Sequence, residues 1–279
     1  MNLQSSMLYL CRYGELWLKS EPVRRRFVKI LIENLKNQLS SHKITGFRIS
    51  ATRERLFIES SGDMAKIIKK TFGLTSFSVV EKCQLDEVGP KVVKISKKWK
   101  KNDTFAIRVK RSGTHDFTSK DKEREWGALV PNKANLSNPD KTIFVEIRDS
   151  DCYVFSEVLQ TAGGLPVGCE GSVVVEFDGS IKSNVSAYLM MKRGCHVFLV
   201  GKGASDNVKN AKKLLEYDQR IKVYKRFRDF PSEAKPLAIV SSSVGNFHPY
   251  LEINNTQLPF FYPLVGLGKK KISEIYKKM

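Results

Sequence analysis

Two stretches of this sequence carry residues able to do chemistry, one basic and aromatic, the other small and hydroxyl-bearing. In Val109-Lys110-Arg111-Ser112-Gly113-Thr114-His115-Asp116-Phe117, Lys110 and Arg111 offer donors to phosphate, with Lys120 just beyond. His115 and Phe117 present ring faces on which unpaired bases can stack. The plainer reading makes Phe117 a core residue and the two cations a solvated strand end. The second stretch is Asp178-Gly179-Ser180-Ile181-Lys182-Ser183, a Gly/Ser turn between the apolar run Val173 to Phe177 and a helix through Ser183 to Lys192. A helix amino end reached that way can receive phosphate. Arg24, Arg25 and Arg26 form a further basic run, which is also what a wet helix face looks like.

The elements that must position these residues follow from periodicity. Met7 to Cys11 predicts a short strand and Pro22 to Leu39 an amphipathic helix, with Phe27, Ile30, Leu31 and Leu35 on one stripe. Proline favours the helix start. Strands at Gly46 to Ile49 and Arg55 to Ile58 complete an α+β module over 1–59, in a ferredoxin-like arrangement. A helix at Asp63 to Lys70, a strand at Thr75 to Glu81 and a helix at Leu85 to Lys98 open a second, α/β module over 60–165. Strands at Thr104 to Val109 and Thr142 to Ile147, with a helix around Lys120 to Val130, complete it. Thr161 to Gly171 holds four glycines and a proline and reads as a hinge or linker. Over 170–279, strands at Val173 to Phe177, Val197 to Val200, Ile221 to Tyr224 and Leu237 to Val240 predict a doubly wound parallel sheet, with Ala204 to Tyr217 the clearest helix.

Composition narrows the class of function. Lys plus Arg number 48 against 29 Asp plus Glu, a formal charge of +19. That surplus favours a polyanion, and nucleic acid ahead of an anionic membrane, because bound phosphates release counterions. A Lys-rich surface serving only solubility or growth temperature is the bland alternative. Cys11, Cys83, Cys152, Cys169 and Cys195 are scattered, without a C-x-x-C pair, so neither a disulfide framework nor a zinc cluster is expected. No apolar run approaches the ~18 residues of a membrane span, and the expected location is cytoplasmic.

Tyr13-Gly14-Glu15-Leu16-Trp17-Leu18-Lys19 and the basic helix after it, Phe72-Gly73-Leu74-Thr75-Ser76-Phe77-Ser78, the Val109 to Phe117 stretch, Gly163-Gly164-Leu165-Pro166-Val167-Gly168, and Ala187-Tyr188-Leu189-Met190-Met191-Lys192-Arg193-Gly194 stand in a shared order. Together they resemble one family, the tRNA 4-thiouridine synthetases, also named for thiamine biosynthesis. The resemblance implies an N-terminal ferredoxin-like domain and a THUMP domain gripping the tRNA acceptor end. A PP-loop domain would then adenylate a uridine before sulfur replaces its oxygen. Lys19, Arg24, Arg25, Lys110, Arg111, His115, Phe117 and Lys120 become the expected RNA contacts. A separate sulfur carrier or modification enzyme and a second copy of the chain are the implied protein partners.

The family's PP-loop reads S-G-G-x-D-S, and here Asp178 replaces its first Ser, Ser180 its second Gly and Lys182 its acid. A carboxylate facing a phosphate pocket repels, and a side chain at the second Gly fills space the anion needs. ATP with magnesium is implied only by a working PP-loop. The sequence also stops at Met279, ahead of the family's PP-loop cysteine, and Cys169 and Cys195 do not match that position. The expectation is a tRNA-binding scaffold in tRNA modification with impaired catalysis and no catalytic or metal residue. The alternative is an active tRNA uridine 4-sulfurtransferase supplied with sulfur by another protein.

Overall fold

A computed structural model describes residues 6–201, 209–253 and 256–279. Its first unit runs β1 (Met7–Tyr13), α1 (Glu21–Ser41), β2 (Phe47–Ala51), β3 (Arg55–Ser60), α2 (Ala65–Lys69) and β4 (Leu74–Cys83). The strands lie in the order β2-β3-β1-β4 with antiparallel neighbours, a ferredoxin-like sheet. Pro22 lies in the first turn of α1, where a missing N–H is not needed. Phe27, Leu31, Leu35 and Leu39, spaced by one helical turn, bury against Tyr9, Cys11, Leu56 and Ile58 of the sheet. Residues 63–83, expected in the second module, therefore complete the first. The cause is topological: α2 must cross back before β4 can pair beside β1, and no local signal announces that pairing.

β4 then continues into a second sheet. Leu74 to Val80 pair with β1, while Glu81 to Cys83 pair with β7 (Asp151–Phe155). The second unit adds α3 (Val88–Ser96), β5 (Phe105–Ser112), α4 (Ser119–Gly127), β6 (Lys141–Arg148) and β8 (Leu159–Gln160), in the order β4-β7-β6-β5. The expected long helix from Leu85 begins instead as a single 3-10 turn, Leu85–Glu87, capped reciprocally by Gln84 and Glu87. Val88, Val92 and Trp126 of the helices pack on Ile107, Ile143, Val145 and Val154. On the opposite face Tyr153 and Phe155 meet Leu10, Phe57 and Val80 of the first unit. The two sheets are thus continuous through β4 and share an apolar seam.

The expected hinge at 161–171 is held at nearly every step. Ala162 and Gly163 amides donate to Lys69 and Leu74 carbonyls, Leu165 to Lys192, and Gly168 and Glu170 to Gly194. Asn34 Nδ2 donates to the Val167 carbonyl at 2.9 Å and Arg26 to that of Cys169 at 3.2 Å. Gly164 has φ +69°, and a Cβ there would sit 2.2 Å from the Lys192 carbonyl oxygen. Glycine serves close approach here, not looseness.

The third unit comprises β9 (Ser172–Glu176), α5 (Ile181–Lys192), β10 (His196–Val200), α6 (Lys212–Leu215), β11 (Val223–Tyr224), β12 (Ile239–Val240), β13 (Tyr250–Ile253), β14 (Thr256–Phe261) and α7 (Lys269–Lys278). Strand order is β11-β10-β9-β12-β14-β13, parallel except for the β13–β14 hairpin, with the switch point beside β9. Of the helix expected at Ala204 to Tyr217, residues 204–208 lie outside the described residues. Helices α5, α6 and α7 cover the face bearing Val173, Val175, Val197 and Leu199. The other face, with Val174 and Ile239, meets Phe230, Ile253 and Leu258 from a loop and the hairpin. Phe72 reaches across from the first unit to stack on Tyr217 at 5.1 Å. Gln38 Nε2 donates to the Tyr217 carbonyl at 2.7 Å. Among the described residues no helix is long and apolar enough to cross a membrane.

Candidate nucleic-acid interface

Parallel pairing of β5 and β6 sets Lys110 opposite Glu146 and Ser112 opposite Arg148. Antiparallel pairing of β1 and β3 sets Arg12 opposite Arg55. Arg12, Arg55 and Arg148 meet on Glu146, which is 5% exposed. Its carboxylate accepts from Arg12 at 2.9 and 3.2 Å, from Arg55 at 3.0 Å and from Arg148 at 3.3 Å. Burial pushes this carboxyl's pKa up, but the guanidiniums of Arg55 and Arg12 outweigh it and hold the group below the usual carboxylate range. Beside this knot a cavity of ≈ 420 Å³ is lined by Arg12, Arg55, Lys110, Arg111, Arg148 and Glu54. Five cationic side chains thus share the cavity with one carboxylate, Glu54, while three of them also bind Glu146. Among the described residues Arg148 Nε is buried with no acceptor. Uncompensated cations in a partly desolvated pocket stabilise an incoming anion, and phosphate suits guanidinium forks.

His115 and Phe117 follow along the chain from Ser112, the last residue of β5, which lines the cavity. Their rings stack at 5.1 Å and 26°, and His115 Nε2 lies 3.1 Å from the Ser112 carbonyl. Lys122 Nζ sits 4.8 Å from the Phe117 centroid. A Thr118–Asp121 capping box starts α4 immediately after Phe117, and Glu123 accepts the Val109 amide at 2.9 Å, fastening the helix to β5. Phe117 also packs against the second unit's core, so the stacking and core readings both apply to it. Lys120 is exposed on the first turn of α4.

The remaining predicted residues lie elsewhere. Arg24 is buried, donating to the Arg53 carbonyl at 3.0 Å and pairing with Glu21, while exposed Arg25 pairs with Glu21 at 2.9 Å. Both line a groove of ≈ 630 Å³ along α1 with Lys29, Lys36 and Arg53. The β2–β3 turn gives Thr52 and Arg53 to that groove and Glu54 to the arginine-lined cavity, which Arg55 enters from the start of β3. Lys19 is exposed after the single 3-10 turn Glu15–Leu18. Arg12, Arg55, Glu146 and Arg148 escape a reading of the sequence because the pairing that gathers them is long-range, whereas Lys122, also missed, meets Phe117 five residues away. The one available signal was alternation in β6, which places Glu146 and Arg148 on one face.

In the third unit the loop after β9 is closed on itself. Asp178 Oδ1 accepts the Ser180 amide at 2.9 Å, and Ser180, the N-cap of α5, accepts the Ser183 amide at 3.2 Å. Asn184 Nδ2 donates to the Gly179 and Ser180 carbonyls at 3.3 and 3.0 Å. Gly179 has φ +81°, and the space beside its α-carbon holds the Asn210 amide, 2.4 Å from where a Cβ would lie. Burial raises the Asp178 carboxyl, yet hydrogen bonds from Ser183 and Ser180 prevail and lower it, so the group is anionic at neutral pH. Lys182 is exposed. Burial pushes the Cys169 thiol up to about 12 and raises that of Cys195, which makes both poor nucleophiles.

The chain thus orders a ferredoxin-like unit, a sheet unit carrying the basic residues and a parallel sheet with a glycine loop, and the profile matched by the second unit makes it a THUMP-bearing protein. Family profiles match in the same order: the ThiI ferredoxin-like domain over residues 8–78, the THUMP domain over 83–157 and the thiamine biosynthesis protein ThiI over 168–231. The probable tRNA sulfurtransferase of Methanothermobacter thermautotrophicus is 35% identical, covering 97% of this chain and 84% of that protein. That of Methanocaldococcus jannaschii is 33% identical, covering 99% and 88%. The chain belongs to the tRNA sulfurtransferase (ThiI) family. Its fold matches the crystal structure of PH1313 from Pyrococcus horikoshii with a TM-score of 0.84, 20% identity, and 98% and 99% of the two chains covered. It also matches a 4-thiouridine synthetase crystallised with RNA and ATP, with a TM-score of 0.76, 22% identity, and 98% and 85% covered.

Proposed function

We propose that this protein binds tRNA through the arginine-lined cavity and the His115–Phe117 stack, and serves tRNA modification as a cytoplasmic scaffold without adenylating its RNA. The cavity's surplus of cations suits a bent phosphate backbone, and the adjoining rings suit unpaired bases at an acceptor end. Lys19, Arg24, Arg25 and Lys120 would add outlying contacts. The observation that carries the scaffold reading is Asp178. Its carboxylate takes the amide that a phosphate would need, and it repels a triphosphate at neutral pH, so the loop does not fit ATP with magnesium. Chemistry would then come from a partner enzyme. The test is equilibrium binding of a tRNA transcript alongside ATP titration and pyrophosphate assay. Tight tRNA binding with no ATP binding is expected, and pyrophosphate released on tRNA would overturn the scaffold.

A second reading, an active tRNA uridine 4-sulfurtransferase fed by a separate sulfur carrier, draws support from family membership over the full span of the chain. Its measure is nucleoside composition in a deletion strain. Unchanged 4-thiouridine would exclude it.

A further inference from the structure

β2 ends the first sheet, and among the described residues no strand pairs with its outer side. The Thr52 amide donates to the Arg55 carbonyl at 2.8 Å, and antiparallel bonding alternates from there along an unbroken register. Ser50 and Arg48 therefore bond inward to Phe57 and Glu59, while Phe47, Ile49 and Ala51 turn their N–H and C=O groups outward. Proteins commonly guard such an edge with proline, a bulge or a covering element. β2 contains neither proline nor bulge, and its one charge, Arg48, repels another basic strand but not an acidic one. The groove of ≈ 630 Å³ along α1 opens at its carboxyl end, lined there by Ala51. Val28 and Ile32, about one turn apart on α1 and half-buried, give that groove an aliphatic wall.

Arg24, Arg25, Lys29, Lys36 and Arg53 line the groove against Glu21 and Glu33. Glu21 is taken by Arg24 and Arg25, whereas Lys29, Lys36 and Arg53 are exposed and have no ion pair among the described residues. An open backbone edge, an aliphatic wall and surplus cations suit an extended acidic segment of another protein, added as a further strand. We infer that β2 and α1 dock such a segment. Its main chain bonds to Phe47, Ile49 and Ala51, its aliphatic side chains rest on Val28 and Ile32, and its carboxylates face Lys29, Lys36 and Arg53. RNA has no peptide groups for the edge and meets no aromatic ring in the groove on which to stack. A second copy of this chain would bring two basic rims together. The inference goes beyond RNA binding and stands whether or not the arginine-lined cavity takes tRNA.

Fluorescence anisotropy of the full chain with a labelled Glu-Val-Glu-Val-Glu-Val peptide, and hydrogen exchange of the complex, test it. Saturable binding is expected, with a Lys-Val counterpart at least about tenfold weaker. Bound peptide should slow exchange at the Phe47, Ile49 and Ala51 amides and leave those of Arg48 and Ser50 unchanged. Ala51→Pro removes one outward donor and no bond to β3. It should weaken the peptide about tenfold, with thermal midpoint and tRNA affinity unchanged. Lys29→Glu/Lys36→Glu should weaken it comparably, at exposed positions that do not threaten folding. No binding, or protection confined to α1, would overturn strand addition. Oligouridine that displaces the peptide would assign the groove to RNA. Protection of the same three amides in concentrated protein alone would assign it to a second copy, and either result overturns the inference.

Discussion

Glu146 is one carboxylate among three guanidiniums drawn from both N-terminal units, and it sets the charge of the cavity it adjoins. Glu146→Gln leaves those cations uncompensated in a buried site and should cost about 3 kcal/mol, read as a lowered midpoint in denaturant. The wild-type carboxyl is held below its unfolded value. Its contribution is therefore full above the ordinary carboxylate range and lost as pH falls through the folded value. Asp178 gives the reverse experiment. Asp178→Ser removes the resident anion and returns the hydroxyl of the family pattern, so phosphate or ATP affinity should rise from undetectable, measured by calorimetry. At this scale Lys110, Arg111, His115 and Phe117 can be read together from the sequence, since they lie within eight residues at and just beyond the end of β5. Arg12 and Arg55 cannot, because only the β1–β3 register makes them neighbours.

Helices and strands were read more readily than their partnerships. α1 and β5 announce themselves by period, whereas β4 looks like an ordinary strand and gives no sign of serving two sheets. The linker shows the limit of composition. Its glycines and proline read as slack, but Gly164 lies so close to Lys192 that a Cβ there would sit 2.2 Å from its carbonyl oxygen. Gly164→Ala combines that clash with an unfavourable φ and should cost more than ~1–2 kcal/mol. A fall in thermal midpoint without loss of tRNA affinity per folded molecule is the expected signature. An innocuous substitution would mean that the linker is free after all.

Across the whole molecule, the first and third units are joined by buried polar contacts as well as Phe72. Asp218 pairs with Arg220 at 2.8 Å and His196 at 3.3 Å, and Arg220 reaches Asn34 of α1 at 2.7 Å. Burial raises the Asp218 carboxyl, but bonds from His196 and Arg220 prevail and lower it to about 2. A depressed carboxyl stabilises above its unfolded pKa, so this joint should weaken as pH falls from about 4 toward 2, seen as earlier exposure of α1 to hydrogen exchange. Lys110→Ala/Arg111→Ala should also flatten the dependence of log affinity on log salt by about 2.

β4 carries the widest consequence. Because alternate residues of a strand face opposite sides, inserting or deleting one residue inverts every side chain beyond it. In β4 that inversion would strike both sheets at once, turning Phe77 out of one core and Cys83 out of the other. Neither unit can therefore vary in length at their common strand without the other's consent. Natural relatives should tolerate indels in the β2–β3 and α4–β6 loops and exclude them from Leu74–Cys83, which acts as a ruler common to both sheets.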